Sequence, residues 1–241
     1  METLKIEKPA TNRLLAALPE KDYQRLLPRL EQIDLIFGEP LFGVGDPIRY
    51  VYFPQSGVVS IHAVEDEATL EVGLVGNEGM IGLPLFLEVE TSRALIIAQS
   101  NGTALRMQAS DFLQECKENV LLSRLMRRYT HYLLMQITQT VICTRLHLIE
   151  SRLACLLLMM HDRMMTNEFK LKQEFLSKVL GVRREAVSIA ASNLQQQQLI
   201  SYSRGNLSIV NREGLEAACC RCYKIVTQEY KGFLAAQSQL N

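Results

Sequence analysis

The placing of glycine and proline limits the fold of this chain more than any other feature. Nine of the 13 glycines lie between Gly38 and Gly102, and none, nor any proline, occurs from Ala109 to Met165. Glycine serves tight turns and proline breaks helices. The first stretch therefore suits short strands and the second suits long helices. Strands are predicted at Val51–Phe53, Val58–Ala63, Thr69–Val75, Ala94–Gln99 and Ala104–Gln108, separated by Gly, Pro and Asn turns. Such spacing points to a small antiparallel sandwich or barrel. Ahead of it, Leu14, Leu15, Leu18, Leu26, Leu27 and Leu30 recur at helical spacing, so short helices are expected over Asn12–Leu35, punctuated by Pro19 and Pro28.

In the stretch without glycine or proline, Leu122, Leu125, Tyr129, Tyr132, Gln136, Gln139, Cys143 and Leu146 alternate by three and four. That spacing is a coiled-coil seam, and it predicts a homodimer through those residues. A core helix of a monomer gives the same periodicity. Leu121, Met126, Leu133 and Ile137 lie off the stripe, so the helix has a second apolar face. The phase shifts near His147–Glu150, and Ser151–Met165 reads as a further helix. The domain division expected is a sheet domain over 1–118, a dimerisation helix over 119–147 and a C-terminal domain with a helical extension over 148–241.

The segment LKQEFLSKVLGVRREAVSIAASNLQQQQLI, Leu171–Ile200, has the spacing of a helix-turn-helix. A first helix is predicted over Lys172–Leu180, ended by Gly181. A second begins near Arg183 and runs to about Gln198. Leu176, Leu180, Val182, Val187, Ala190 and Leu194 supply the shared core. The outward face of the second helix carries Arg183, Arg184, Glu185, Ser188, Ile189 and Ser192. Arginine reads guanine bidentately, glutamate accepts from the cytosine amino group, and an exposed isoleucine suits a thymine methyl. Two β-prone runs, Ile200–Ser203 and Leu207–Val210, flank Arg204-Gly205-Asn206 and predict a wing whose tip, Arg204, meets phosphate. Asn211 is placed to cap a last helix, Arg212–Phe233.

Charge agrees with this reading. The formal total is zero, yet Met1–Ser110 holds 9 basic and 15 acidic residues, while Arg163–Arg212 holds 8 basic and 3 acidic ones. A basic C-terminal segment is where nucleic acid is expected. The polar Met1–Ala10 lacks the apolar core of a signal peptide, and no apolar run is long enough for a membrane span, so the protein is expected in the cytoplasm with no membrane partner. The six cysteines lack the spacing of a disulfide scaffold and are expected to be reduced. Cys219-Cys220-Arg221-Cys222 invites a thiol or metal role, but no further ligand lies near it in sequence, so small core side chains are the plainer reading. His131, His147 and His161 read as structural, and Glu65-Asp66-Glu67 as a solvated hairpin tip. The sheet region has one histidine, His62, which excludes a cupin-type metal enzyme. No phosphate loop or nucleophile motif is present, so no catalytic residue and no resident metal are assigned.

With these parts in order, the chain resembles the Crp/Fnr family of bacterial transcription regulators. The resemblance runs over roughly Asn12–Val210. It rests on GEPLFGVGDPIRYVYFPQSGVVSI (Gly38–Ile61), GNEGMIGLP (Gly76–Pro84) and GVRREAVSIAASNL (Gly181–Leu194). It implies an α+β chain: an N-terminal antiparallel β-roll (a double-stranded β-helix), a long dimerisation helix and a C-terminal winged helix-turn-helix. It further implies a homodimer on duplex DNA at an inverted repeat, with RNA polymerase as a partner if the protein activates. Arg184-Glu185 falls where the family reads its half-site, and Ile189 replaces a second family arginine. The effector pocket departs from the cyclic-AMP-responsive members. Leu83 stands where they have a ribose-binding glutamate, and Ser92-Arg93 reverses their Arg-Ser pair. Cyclic AMP is therefore not expected as a cofactor, and the effector is left open. A constitutive regulator with an empty β-roll, or a thiol- or metal-responsive one using the C-terminal cysteines, are the alternatives. No cysteine precedes Cys116, so the iron–sulfur cluster of other members has no N-terminal ligands here.

Overall fold

The computed structural model of the chain describes residues 12–66 and 68–235. The polar Met1–Ala10 and Glu67 of the acidic hairpin tip lie outside the described residues. In chain order the elements are α1 (Glu20–Leu26), β1 (Glu31–Leu35), β2 (Pro40–Phe42), β3 (Tyr50–Pro54), β4 (Val59–Glu65), β5 (Ala68–Val75), β6 (Leu95–Ala98), β7 (Gly102–Gln108), α2 (Ala109–Glu118), α3 (Val120–Leu146) and α4 (Ile149–Met164). They continue as β8 (Glu168–Lys170), α5 (Gln173–Leu180), α6 (Arg184–Gln196), β9 (Ile200–Ser203), β10 (Asn206–Ile209), α7 (Arg212–Ala218) and α8 (Arg221–Ala235). An antiparallel sheet region, long helices and a C-terminal helix-turn-helix make an α+β chain. Two compact units are present, one of residues 12–59, 75–131 and 232–235, the other of 60–74 and 132–231.

In the first unit β7 lies between β1 and β3 and is antiparallel to both, while β2 pairs with β6. Val51, Phe53, Leu105, Met107 and Phe112 fill the interior. Asn12 ties down the start of the described chain: its side-chain oxygen accepts from the Leu14 and Leu15 amides, and its amide donates to the carbonyls of Pro54 and Gly79. The helical reading of Asn12–Leu35 fails at its end, because Glu31–Leu35 is a strand. Pro28 breaks the helical run, and β7 then recruits the following residues, with Arg106 pairing to Glu31 at 2.8 Å and stacking on Tyr50 at 4.5 Å.

The burial pattern of α3 corrects the expected dimer seam. Leu122, Leu125, Tyr129, Tyr132 and Gln136 are 3% exposed or less within the single chain. Gln139 is also buried, and Cys143 is half-buried. A side chain with no surface left cannot also face a partner, so this stripe is core. The outward face is a different 4-3 stripe of Arg127, His131, Leu134, Thr138, Val141 and Arg145, in which Leu134 and Val141 are 58–59% exposed. Leu146, which closed the expected seam, is exposed as well. Asn119 caps α3, its side-chain oxygen accepting from the Leu122 amide at 3.0 Å.

The second unit holds the β4–β5 pair, the three-stranded β8-β10-β9 sheet and the remaining helices. The single helix expected over Arg212–Phe233 is broken. Asn211 caps α7 through the Gly214 amide, but α7 ends at Ala218 and α8 starts at Arg221. Cys219 takes an extended conformation (φ −71, ψ 150) at this break.

Glu71 of β5 is buried in this unit, and its Oε2 has no hydrogen-bond partner among the described residues. Burial pushes its carboxyl up to about 8 from 4.5, against a weaker opposing pull from Arg163. Arg163 itself donates to Tyr132 and to the Met159 carbonyl. The folded state therefore holds a proton that the unfolded chain releases. That stabilisation is complete below about pH 4.5 and is lost as pH rises toward about 8. Its slope is at most about 1.4 kcal/mol per pH unit. Chemical unfolding across this window is expected to show falling stability in the parent and a flatter profile in Glu71→Gln. Equal slopes in both would place the titrating group elsewhere.

Candidate nucleic-acid interface

The helices α5 and α6 form the helix-turn-helix. Gly181 ends α5 at φ +61°, a conformation that a side chain resists. A Cβ there would also press on Leu70 at 3.0 Å. Leu176, Val187, Ala190, Ala191 and Leu194 are buried, whereas Val182 is only half-buried. The second helix starts at Arg184, with Arg183 as its extended N-cap, and ends at Gln196 rather than near Gln198. Glu185 sits in its first turn, where the helix dipole favours an acid.

Arg183, Arg184, Glu185, Ser188, Ile189 and Ser192 are all exposed, and Ile189 keeps 63% of its surface. Packing uses the opposite face and leaves this one open. Gln173, at the start of α5, donates to Ser188 at 3.3 Å. It therefore shares this face, although the sequence reading passed over it.

The wing is built from three strands, because β8 pairs with β10 beside β9. Ser203 faces Asn206, which leaves the two-residue turn Arg204-Gly205 with φ of 51° and 83°. Positive φ at both positions is the turn that matches strand twist. It places Arg204, exposed, at the tip. Two contacts hold the wing in position. The Tyr202 hydroxyl donates to the Leu171 carbonyl at 2.6 Å, and the Tyr202 amide donates to Gln195 of α6 at 2.7 Å. Burial pushes the Tyr202 phenol upward, so it stays protonated as a donor. Behind α6, Glu150 of α4 accepts from Asn193 at 2.9 Å and from Gln197 at 2.8 Å. Arg152 of the same helix donates to the Leu180 carbonyl at the end of α5. Nothing in the local sequence marks Glu150, Arg152 or Tyr202, since each acts on a partner about 30 residues or more away or through its backbone.

The residues considered for an effector lie in the first unit. Leu83 is buried in a short 3-10 turn, Leu83–Leu87. Ser92 is buried, and its hydroxyl donates to the Ala94 carbonyl at 2.6 Å while accepting from the Ala94 amide at 3.1 Å. Arg93, one residue on, is exposed. The three do not present a shared set of polar groups.

These two parts define a class of protein: a winged helix-turn-helix joined to a domain of the cyclic-nucleotide-binding type. Residues 37–119 match the cyclic nucleotide-binding domain, and residues 151–218 match the Crp-like helix-turn-helix domain. The fold is similar to that of FixK2 from Bradyrhizobium japonicum (19% identity, 79% of this chain and 98% of that one, TM-score 0.68). It is similar also to a Crp/Fnr-family transcriptional regulator from Eubacterium rectale (17% identity, 86% and 98%, TM-score 0.67). A third likeness is to the c-di-GMP-responsive global regulator CLP of Xanthomonas campestris (18% identity, 79% and 99%, TM-score 0.64). No curated protein sequence matches the chain. The chain combines a cyclic nucleotide-binding domain with a Crp-like helix-turn-helix domain, the pairing of a Crp-type transcription regulator. Among the described residues no helix is long and apolar enough to cross a membrane.

Proposed function

We propose that this protein regulates transcription from the cytoplasm as a homodimer that reads an inverted-repeat DNA site through α6 and grips the backbone through the wing. The observation that carries this is the exposed face of α6, where Arg184, Glu185 and Ile189 stand unpacked, together with the exposed Arg204 at the wing tip. An exposed isoleucine gains nothing from packing, and contact with a thymine methyl gives it a use. Arg184→Ala is expected to cost about 1–3 kcal/mol on the preferred site and to relax choice at one base pair. Arg204→Ala is expected to weaken all sequences alike and to lower the salt slope by about one. Binding titrations on a site selected from random DNA check both. Equal losses on selected and random DNA for Arg184→Ala would remove base reading from α6.

The dimer forms, in this reading, through the outward face of α3. Leu134 and Val141 lie on that face, and the residues first expected there are already core. Like charges at the interface of a twofold pair repel. Leu134→Glu with Val141→Glu is expected to give folded monomers in sedimentation. A dimer that survives both substitutions would place the interface elsewhere.

Cyclic AMP is not the effector of this β-roll. Leu83 offers the ribose hydroxyl no acceptor, and an unpaired buried polar group costs about 1–3 kcal/mol. Ser92 is engaged with Ala94, and Arg93 faces solvent. Calorimetric titration is expected to show no binding of cyclic AMP at micromolar concentration. Micromolar binding with a change in DNA affinity would overturn this.

A further inference from the structure

Five of the six cysteines meet in the second unit, although they are scattered through the sequence. Against the expectation that all six cysteines are reduced, Cys155 of α4 forms a disulfide with Cys219 at the α7–α8 break. Beside it, the Cys143 and Cys220 sulfurs lie 3.5 Å apart, and Cys222 Sγ lies 3.4 Å from His147 Nδ1. All four of these donor atoms fall within 4.8 Å of one another. Zinc bonds of about 2.3 Å to sulfur and about 2.0–2.1 Å to nitrogen, at the tetrahedral angle, put sulfurs about 3.8 Å apart and nitrogen about 3.6 Å from sulfur. The observed separations are close to those edges.

We propose that Cys143, His147, Cys220 and Cys222 form a four-ligand site for a thiophilic divalent ion of the zinc class. The local structure explains how the ligands converge. Cys143 and His147 are four residues apart, and the His147 amide still donates to the Cys143 carbonyl at 3.2 Å, so both project from one helical turn. Cys220 comes from the α7–α8 break and Cys222 from the first turn of α8, and the neighbouring disulfide ties that break to α4. Gln139 donates its amide to Cys222 Sγ at 3.1 Å, which suits a metal-bound thiolate. Three thiolates on a divalent ion leave one negative charge, and the Arg152 guanidinium lines the same cavity as Cys143 and Cys222. The ion would clamp the end of α3 to the helical extension that follows the wing. This site stands independently of the reading of DNA sequence by α6.

The full chain, purified with a reductant and without chelator, is expected to carry about one zinc per chain by mass spectrometry of the metal. Cobalt(II) added to the chelator-stripped protein is expected to give thiolate charge-transfer bands and the intense visible bands of a tetrahedral site. Cys143→Ser and Cys222→Ser should each abolish those bands. Cys116→Ser, and Cys155→Ser with Cys219→Ser, should keep them. Zinc(II) at one equivalent should also raise the melting temperature of the stripped parent protein, which tests the site without any substitution. Three results would overturn the assignment: no metal uptake by the parent, bands that survive Cys143→Ser with Cys222→Ser, or bands lost on removing Cys155 and Cys219.

Discussion

The rotation of α3 about its own axis is fixed by polar groups on its buried face, and the roles of its remaining residues follow from that. The Tyr129 hydroxyl donates to the Met80 carbonyl at 3.0 Å. It lies against Gly79, where any side chain would overlap the ring. Further along, Gln136 accepts from the Leu74 amide at 2.7 Å. A buried backbone amide left unpaired costs about 1–3 kcal/mol. Turning the helix by one residue would orphan that amide, and in one of the two directions it would bring Arg124 and Arg128 inside. Apolar periodicity alone permits either orientation, and the hydrogen bonds select one. They leave Leu134 and Val141 facing outward.

The reading head is held by a similar logic. Its exposed face makes few contacts, so its position has to come from behind and from the side. Glu150 anchors Asn193 of α6 and its C-cap Gln197 from α4, and the wing reaches α6 through the Tyr202 amide. The Tyr202 hydroxyl fixes the wing to the chain entering α5. Rigid supports under an unpacked face allow side chains to meet base edges without first reordering the backbone.

What the sequence revealed and what it hid divide along the distance over which each feature is encoded. The helix-turn-helix is legible because its signals are local: a small residue, a glycine that must adopt positive φ, and apolar positions on two short helices. The wing is legible for the same reason, save for β8, whose three residues become a strand only by pairing with β10. Strand β1 was hidden because its leucine-rich prelude has helical spacing, while its partner β7 lies some 70 residues away. The phase of α3 was hidden because both its faces carry apolar side chains. The thiol cluster was hidden most deeply. Cys143 and Cys220 are separated by 77 positions, and only the break between α7 and α8 turns the second towards the first.

One side chain joins that cluster to the reading head. Arg152 leaves α4 buried, and burial lowers its pKa, while the nearby Cys143 and Cys220 oppose that effect. Its guanidinium donates to the Leu180 carbonyl, the last of α5 and the residue before the Gly181 turn. A buried cation needs both a hydrogen-bond acceptor and compensating negative charge. Here the turn of the helix-turn-helix supplies the first, and thiolates on the proposed ion would supply the second. The sulfur cluster and the carbonyl that sets the α5–α6 corner therefore meet at one group.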